Sequence, residues 1–188
     1  MKNIIFLSAL LFISNACAQE RIIDPDKIGD NYIPKKGDYI INNFIDSFVG
    51  EYNFHQNEIN FYMKLKKKKF CDNYTEVCYD RIYGQIELKH NNNTTIEKSE
   101  MPNKHKVESS DFKDIIPQVS SILIENDKTT LNIYDSIKQK SIEGILIKLD
   151  NRKYSLKLKE KSYGILQKNK KNEKGFTLPV AMILTKTN

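Results

Sequence analysis

The sequence predicts a mostly β protein, an antiparallel meander of about nine strands that forms a barrel or a strongly curved sheet, with one short N-terminal helix. Three observations predict it. Apolar and polar residues alternate with period two in segment after segment, as in strands with one dry and one wet face. These segments come in pairs joined by short polar turns, which is hairpin spacing, whereas a parallel sheet buried on both faces would show unbroken apolar runs. The length, 188 residues, suits one domain, and a run of hairpins that long tends to curl or close.

Residues 1–18 read as a signal peptide. Met1-Lys2-Asn3 is a short basic start, Ile4 to Ile13 is apolar apart from Ser8, and Ser14-Asn15-Ala16-Cys17-Ala18 supplies small residues. The apolar run spans about 15 Å as a helix, half of a bilayer core, and no later segment approaches about 18 apolar residues. Two processing routes fit. Cleavage after Ala18 leaves Gln19 first. Alternatively, Ala16-Cys17 resembles the end of a bacterial lipobox, with Cys17 lipidated, although Ser14 and Asn15 sit where that motif prefers an aliphatic and a small residue. Either route predicts export: periplasmic, extracellular, or tethered to the outer membrane through Cys17.

Residues 19–37 hold Pro25, Gly29, Pro34, Gly37 and several acids without periodicity, which predicts an irregular lead-in or tether. The remainder, 38–188, reads as a single β-rich domain. Asp38 offers an N-cap, and Ile40, Ile41, Phe44, Ile45 and Phe48 follow at helical spacing until Gly50. Tyr52 and Phe54 then alternate with polar neighbours up to a turn at Gln56-Asn57. Ile59, Phe61, Met63 and Leu65 make the clearest inward strand face, with Asn60, Tyr62, Lys64 and Lys66 on the wet side. Gly84 opens a strand over 85–89, the Asn91-Asn92-Asn93 turn follows, and 94–99 returns. Residues 121–125 and 129–135 pair across Asn126-Asp127. Gly144 opens 145–149, which pairs with 153–161 across Asp150-Asn151, and 180–186 is the last strand. Loops are predicted at 101–111 and 168–175, with a helical turn over 111–119 broken by Pro117.

The three cysteines become a pair once Cys17 is discarded or lipidated. An oxidising compartment favours a disulfide between Cys71 and Cys78; the alternative is two free thiols, and a metal site is disfavoured because no His or further Cys stands at metal-site spacing. His55, His90 and His105 make no metal or acid–base pattern, and there is neither a nucleophile elbow nor a glycine-rich phosphate loop. The reading therefore assigns no catalytic residue, no metal ligand and no cofactor.

Lys66 to Lys69 could form an anionic-polymer track. The chain has 27 Lys but only 3 Arg, and arginine is the residue suited to bidentate phosphate contacts. Lysines on a wet strand face also block edge-to-edge aggregation, so the solvated reading is preferred and nucleic acid is not the expected partner. Lys, Ile and Asn together fill 71 positions, a bias that lowers the meaning of any single lysine or asparagine.

Gly50-x-Tyr52 after a short helix resembles the lipocalin-like strand entry, with Tyr52 in place of tryptophan and Phe54 continuing the strand. More broadly, Phe48-x-Gly50-x-Tyr52-x-Phe54, the lysine-rich strand 59–69, Asp80-Arg81-Ile82-Tyr83-Gly84 and Phe176-x-Leu178-Pro179-x-x-Met182-x-Leu184-x-Lys186 resemble a family of small exported bacterial proteins classed as a domain of unknown function. That resemblance implies secretion and a β-rich fold and brings no catalytic residues.

The expectation for function is an exported, non-catalytic binding or interaction module for a small apolar ligand or a protein partner. The alternatives are an extracytoplasmic hydrolase without a readable motif, and anionic-polymer binding through the lysine-rich strand. Any membrane contact is expected only through an N-terminal lipid. An empty apolar lumen favours the small ligand, a filled lumen with exposed apolar residues the protein partner, and convergent buried acids or histidines the hydrolase.

Overall fold

A computed structural model describes residues 20–29, 31–99, 101, 106–110, 117–161 and 174–187. The predicted leader with Cys17, His105, and most of the predicted 168–175 loop and 111–119 turn lie outside the described residues; of the predicted 101–111 loop, residues 101 and 106–110 are described, and Lys106–Glu108 is a strand rather than loop.

Eight strands close into an antiparallel barrel. They are β3 (Gly50–Gln56), β4 (Ile59–Cys71), β5 (Cys78–His90), β8 (Val119–Ile124), β9 (Lys128–Asp135), β10 (Lys140–Lys148), β11 (Lys153–Glu160) and β12 (Ala181–Lys186). Each pairs with the next, and β12 returns to β3 through Thr185 opposite Asn53 and Lys186 opposite Tyr52. This is the predicted meander, closed. The predicted strand over 94–99 is the short β6 (Asn93–Ile96), which pairs with β5 outside the ring. Asn91 and Asn92 take positive φ values of 49° and 62° in the turn before it, the conformation a tight hairpin demands and asparagine tolerates.

At one end the sheet continues past the barrel as a flap. The β3–β4 pairing stops at Gly50 opposite Leu65, while β4 and β5 run on to Cys71 opposite Cys78. Beyond that point β4 takes β7 (Lys106–Glu108) as its neighbour and β5 takes β2 (Asp38–Ile40), which carries β1 (Arg21–Ile23), all three in parallel pairing.

The outer edge of β5 shows how its backbone is kept satisfied between partners. Its first residues pair with β2, Tyr83 and Gly84 with β8, and Leu88 to His90 with β6. Side chains fill the gaps: Ser121 Oγ accepts from the Ile82 N–H at 3.0 Å, and Gln118 Oε1 accepts from the Ile86 N–H at 3.0 Å. Buried N–H groups need such partners.

The helix predicted over 38–48 is corrected. Asp38–Ile40 is strand β2, and only α1 (Ile45–Phe48) is helical. Asp38 caps no helix, because Arg21, Tyr32 and the Lys35 N–H hold its carboxylate, and the Asn42 N–H is drawn to Asp80 at 3.1 Å. The lead-in is also more regular than its composition suggests, since β1 and a turn of 3-10 helix (Pro25–Lys27) lie within it.

Candidate functional site

The barrel lumen is packed with side chains. Phe61, Met63 and Leu65 point inward as the alternation predicts, and meet Ile86, Leu131, Ile133, Leu146, Leu156 and Met182, all buried. Ile59, at the start of that face, is only partly buried against the same core. Such packing is a core of contiguous contacts, not a ligand chamber. Two inward glycines show how closely the wall approaches itself. A Cβ on Gly84 would lie 2.5 Å from the Lys64 carbonyl oxygen, and one on Gly144 would lie 2.8 Å from Ile133 Cδ1.

The flap end of the lumen is stoppered by α1, whose Ile45 and Phe48 are fully buried. Gly50 follows at φ 147°, a conformation side chains resist, and turns the chain into β3. Tyr52, also fully buried, stacks edge-on against Tyr154 with ring centroids 5.1 Å apart. Three donors then capture the helix-end carbonyls. Tyr52 Oη donates to the Phe48 oxygen at 2.7 Å, and Tyr154 Oη and Lys186 Nζ donate to the Ser47 oxygen at 2.7 and 2.9 Å. The ammonium lies over both tyrosine rings at 5.9 and 5.8 Å. Burial pushes both phenols up and the ammonium down. The sequence-predicted strand entry, Gly50 and Tyr52, is thus a stopper latch, with Phe54 packed on the edge of the core. Its partners Tyr154 and Lys186 were not legible, since each reads as one more member of an alternating strand.

Three buried carboxylates hold segments together. Asp80 accepts from Tyr39 Oη at 2.5 Å and the Asn42 N–H at 3.1 Å, and pairs with Lys67 at 3.3 Å. Asp38 takes Arg21 Nε at 2.7 Å, Tyr32 Oη at 2.5 Å and the Lys35 N–H at 2.7 Å. Asp135, at the far end, accepts from the Ile137, Lys138 and Thr177 N–H groups. These carboxylates are consumed in strapping β2 and the 174–179 segment to the barrel. The lysine run is likewise partly structural. Lys67 pairs with buried Asp80, and Lys69 pairs with Glu20 and lies 4.3 Å from the Tyr39 ring centroid, while Lys66 is exposed. Alternation puts Lys67 and Lys69 on the inward side, where the flap extends beyond the stopper.

Cys71 and Cys78 form the expected disulfide across directly opposed residues, with Cα atoms 4.1 Å apart. Closing so short a loop is worth about 2.5 kcal/mol in the chain-entropy account. Inside it, the Asp72 carboxylate accepts from the Tyr74 and Thr75 N–H groups at 2.9 Å each, and Tyr74 projects from the tip, 95% exposed.

At the end opposite the flap, a shallow groove of about 320 Å³ is lined by Ile59, Leu88, Lys89, His90, Thr95, Thr177 and Pro179. His90 Nε2 lies 3.8 Å from Glu58, and His55 Nδ1 lies 2.5 Å from Asn60 Oδ1, so the two histidines do not converge. Among the described residues, no three His, Cys, Asp or Glu side chains gather as a metal site.

A family model described as a family of unknown function (DUF6705) matches residues 1–187. The chain belongs to this family. No curated protein and no solved structure matches it. The DUF6705 match takes in the stopper, the disulfide flap and the grooved end alike, and brings no reaction, ligand or partner with it.

Proposed function

We propose that the protein acts outside the cytoplasm as a non-catalytic module that binds a protein partner through its surface. The filled lumen carries this reading: with Phe61, Met63 and Leu65 packed inward and α1 set into one end, a small apolar ligand would have to displace core side chains, at about 1.5–3 kcal/mol for each one exposed. Contact is left to the outside, and the grooved end is the best-suited part. Ile59 and Pro179, both half-buried, give it apolar contact area. Val180 follows, 66% exposed, and Ile137, in the turn whose Asp135 holds Thr177, is 55% exposed. Clustered exposed apolar residues mark interaction sites. The disulfide is compatible with an oxidising compartment, and the leader points the same way.

Two measurements test this. Titration with a fluorescent fatty acid should give no saturable binding; one-to-one binding lost on Met63→Trp would restore the ligand-carrier reading. A photo-crosslinking residue at position 180 should give one discrete protein adduct in the exported protein, and the same residue at exposed Lys157 should not. Equal labelling at both positions would refute the grooved end as the contact surface.

A further inference from the structure

We propose that the flap end rests on a lipid surface, held there by a diacylglyceryl group on Cys17, so that the grooved end points away from the membrane. This rests on the export reading and takes the lipidated of its two processing routes. Cys17 stands three residues before Glu20, a reach of about 10 Å when fully extended. Glu20 is not free to swing, because it pairs with Lys69. Arg21 behind it is fixed to Asp38 and donates its N–H to the Gly37 oxygen at 3.1 Å. Gly37 in turn donates to the Glu76 oxygen at 3.1 Å, and Lys36 pairs with Glu76 at 2.6 Å. The chain therefore leaves the fold stitched to the disulfide loop, and a tether of three residues leaves no room for another protein between the flap and the bilayer.

The side chains around that exit suit an interface. Ile22 is 66% exposed, Ile33 77% and Tyr74 95%, and the disulfide and the Asp72 turn hold Tyr74 out. Exposed aliphatic and tyrosine side chains at the headgroup level add to an acyl anchor. Several neighbouring charges are paired, Lys27 with Asp24, Lys36 with Glu76 and Lys69 with Glu20, while Lys35 beside them is exposed. Contact through the acyl anchor and the apolar side chains does not call for anionic lipid.

The modification balances without an oxidant. The Cys17 thiol displaces the phosphate-bearing headgroup of a phospholipid, its S–H proton leaving with that group. A thioether to the diacylglyceryl carbon forms, and hydrolysis of the Ala16–Cys17 bond then frees the Cys17 amine.

The chain has no tryptophan, so single introduced tryptophans report depth. The full-length protein, exported from a bacterial host and purified in detergent, is placed in phosphatidylcholine vesicles with or without brominated acyl chains. Mass analysis should show a diacylglyceryl group on Cys17. Tyr74→Trp should be quenched several-fold more than Val180→Trp, and equally in the presence of high salt. A mass beginning at Gln19 without lipid overturns this inference and leaves partner binding standing. A lipidated protein with equal quenching at both positions overturns the orientation. An uncleaved leader overturns export and the inference together. Loss of the adduct at position 180, with the quenching pattern intact, would count against partner binding alone.

Discussion

Replacing Gly84 by alanine probes how tightly the barrel wall closes. Gly84 faces inward between Leu65 on β4 and Val119 on β8. Its new Cβ would lie 2.5 Å from the Lys64 carbonyl oxygen, 2.6 Å from Leu65 Cδ2 and 3.3 Å from Val119 Cβ. A side-chain tip can rotate away, but a backbone oxygen in the middle of a long ladder cannot, so β4 and β5 must part locally. Overpacking of this kind costs about 1–3 kcal/mol and occasionally more, and the backbone contact places Gly84→Ala at or above about 3 kcal/mol. Gly144→Ala is the control. Its close neighbours are the movable tips Ile133 Cδ1 at 2.8 Å, Leu156 Cδ1 at 3.2 Å and Leu158 Cδ2 at 3.2 Å. Its packing cost of about 1 kcal/mol is largely offset by about 0.4–1 kcal/mol gained from a stiffer unfolded chain. Thermal unfolding should show Gly84→Ala lowered by roughly 6–12 °C and Gly144→Ala by less than about 4 °C, at about 2–4 °C per kcal/mol for a chain of this size. A Gly84→Ala protein as stable as its parent, or equal losses at both sites, would refute the close-approach argument.

Two further outcomes follow from other parts of the fold. Phe61→Asp buries an unpaired carboxylate at a position 2% exposed and should unfold the protein, whereas Lys64→Asp, on the wet face opposite Glu51, should cost roughly 1 kcal/mol or less in urea titration; equal tolerance would mean that the strand faces are misassigned. Burial works to raise the Asp38 carboxyl, and its bonds from Tyr32, the Lys35 N–H and Arg21 outweigh it and hold the group below its ordinary value of 3.8. A carboxylate held low contributes stability that is complete above its unfolded pKa, near 4, and is lost as pH falls through the folded one. Amide exchange in β1 should therefore accelerate below about pH 4, and Asp38→Asn should remove that dependence; a β1 equally protected at pH 3 and pH 6 would contradict the strap.

The strands that were legible are those whose inward residues are all apolar or aromatic, such as Phe61-x-Met63-x-Leu65 and Tyr154-x-Leu156-x-Leu158. The first half of β5 was not. Its inward positions include Asp80, whose burial depends on Lys67, Tyr39 and Asn42, all remote in sequence, so the local pattern looks wet. The 38–48 segment misled for the opposite reason. Its apolar residues have helical spacing, yet Ile40 belongs to a strand, Phe44 is 39% exposed, and only Ile45 and Phe48 enter the core. Long-range partners for Asp38 and Asn42 overrode the local preference, as tertiary context commonly does. The disulfide was legible because setting Cys17 aside with the predicted leader leaves Cys71 and Cys78 as a single pair. The latch formed by Tyr52, Tyr154 and Lys186 joins residues more than a hundred positions apart, and nothing in their spacing announces it.

The barrel's two narrow seams bear on how it opens and forms. β3, β4 and β5 make one arc, with seven paired positions between β3 and β4 and thirteen between β4 and β5. β8 to β12 make another, contiguous in sequence and joined by long registers such as the eight pairs between β9 and β10. Among the described residues, only two paired positions stand between the arcs at β5–β8 and two at β12–β3. Each arc can assemble from neighbours in the chain, whereas the β12–β3 seam must bring together residues at opposite ends of the domain, with the larger loop-closure cost. On this topology the arcs are separate cooperative units, and opening at the β12–β3 seam would strip Tyr154 and Lys186 from the Ser47 carbonyl while Tyr52 keeps its bond to Phe48.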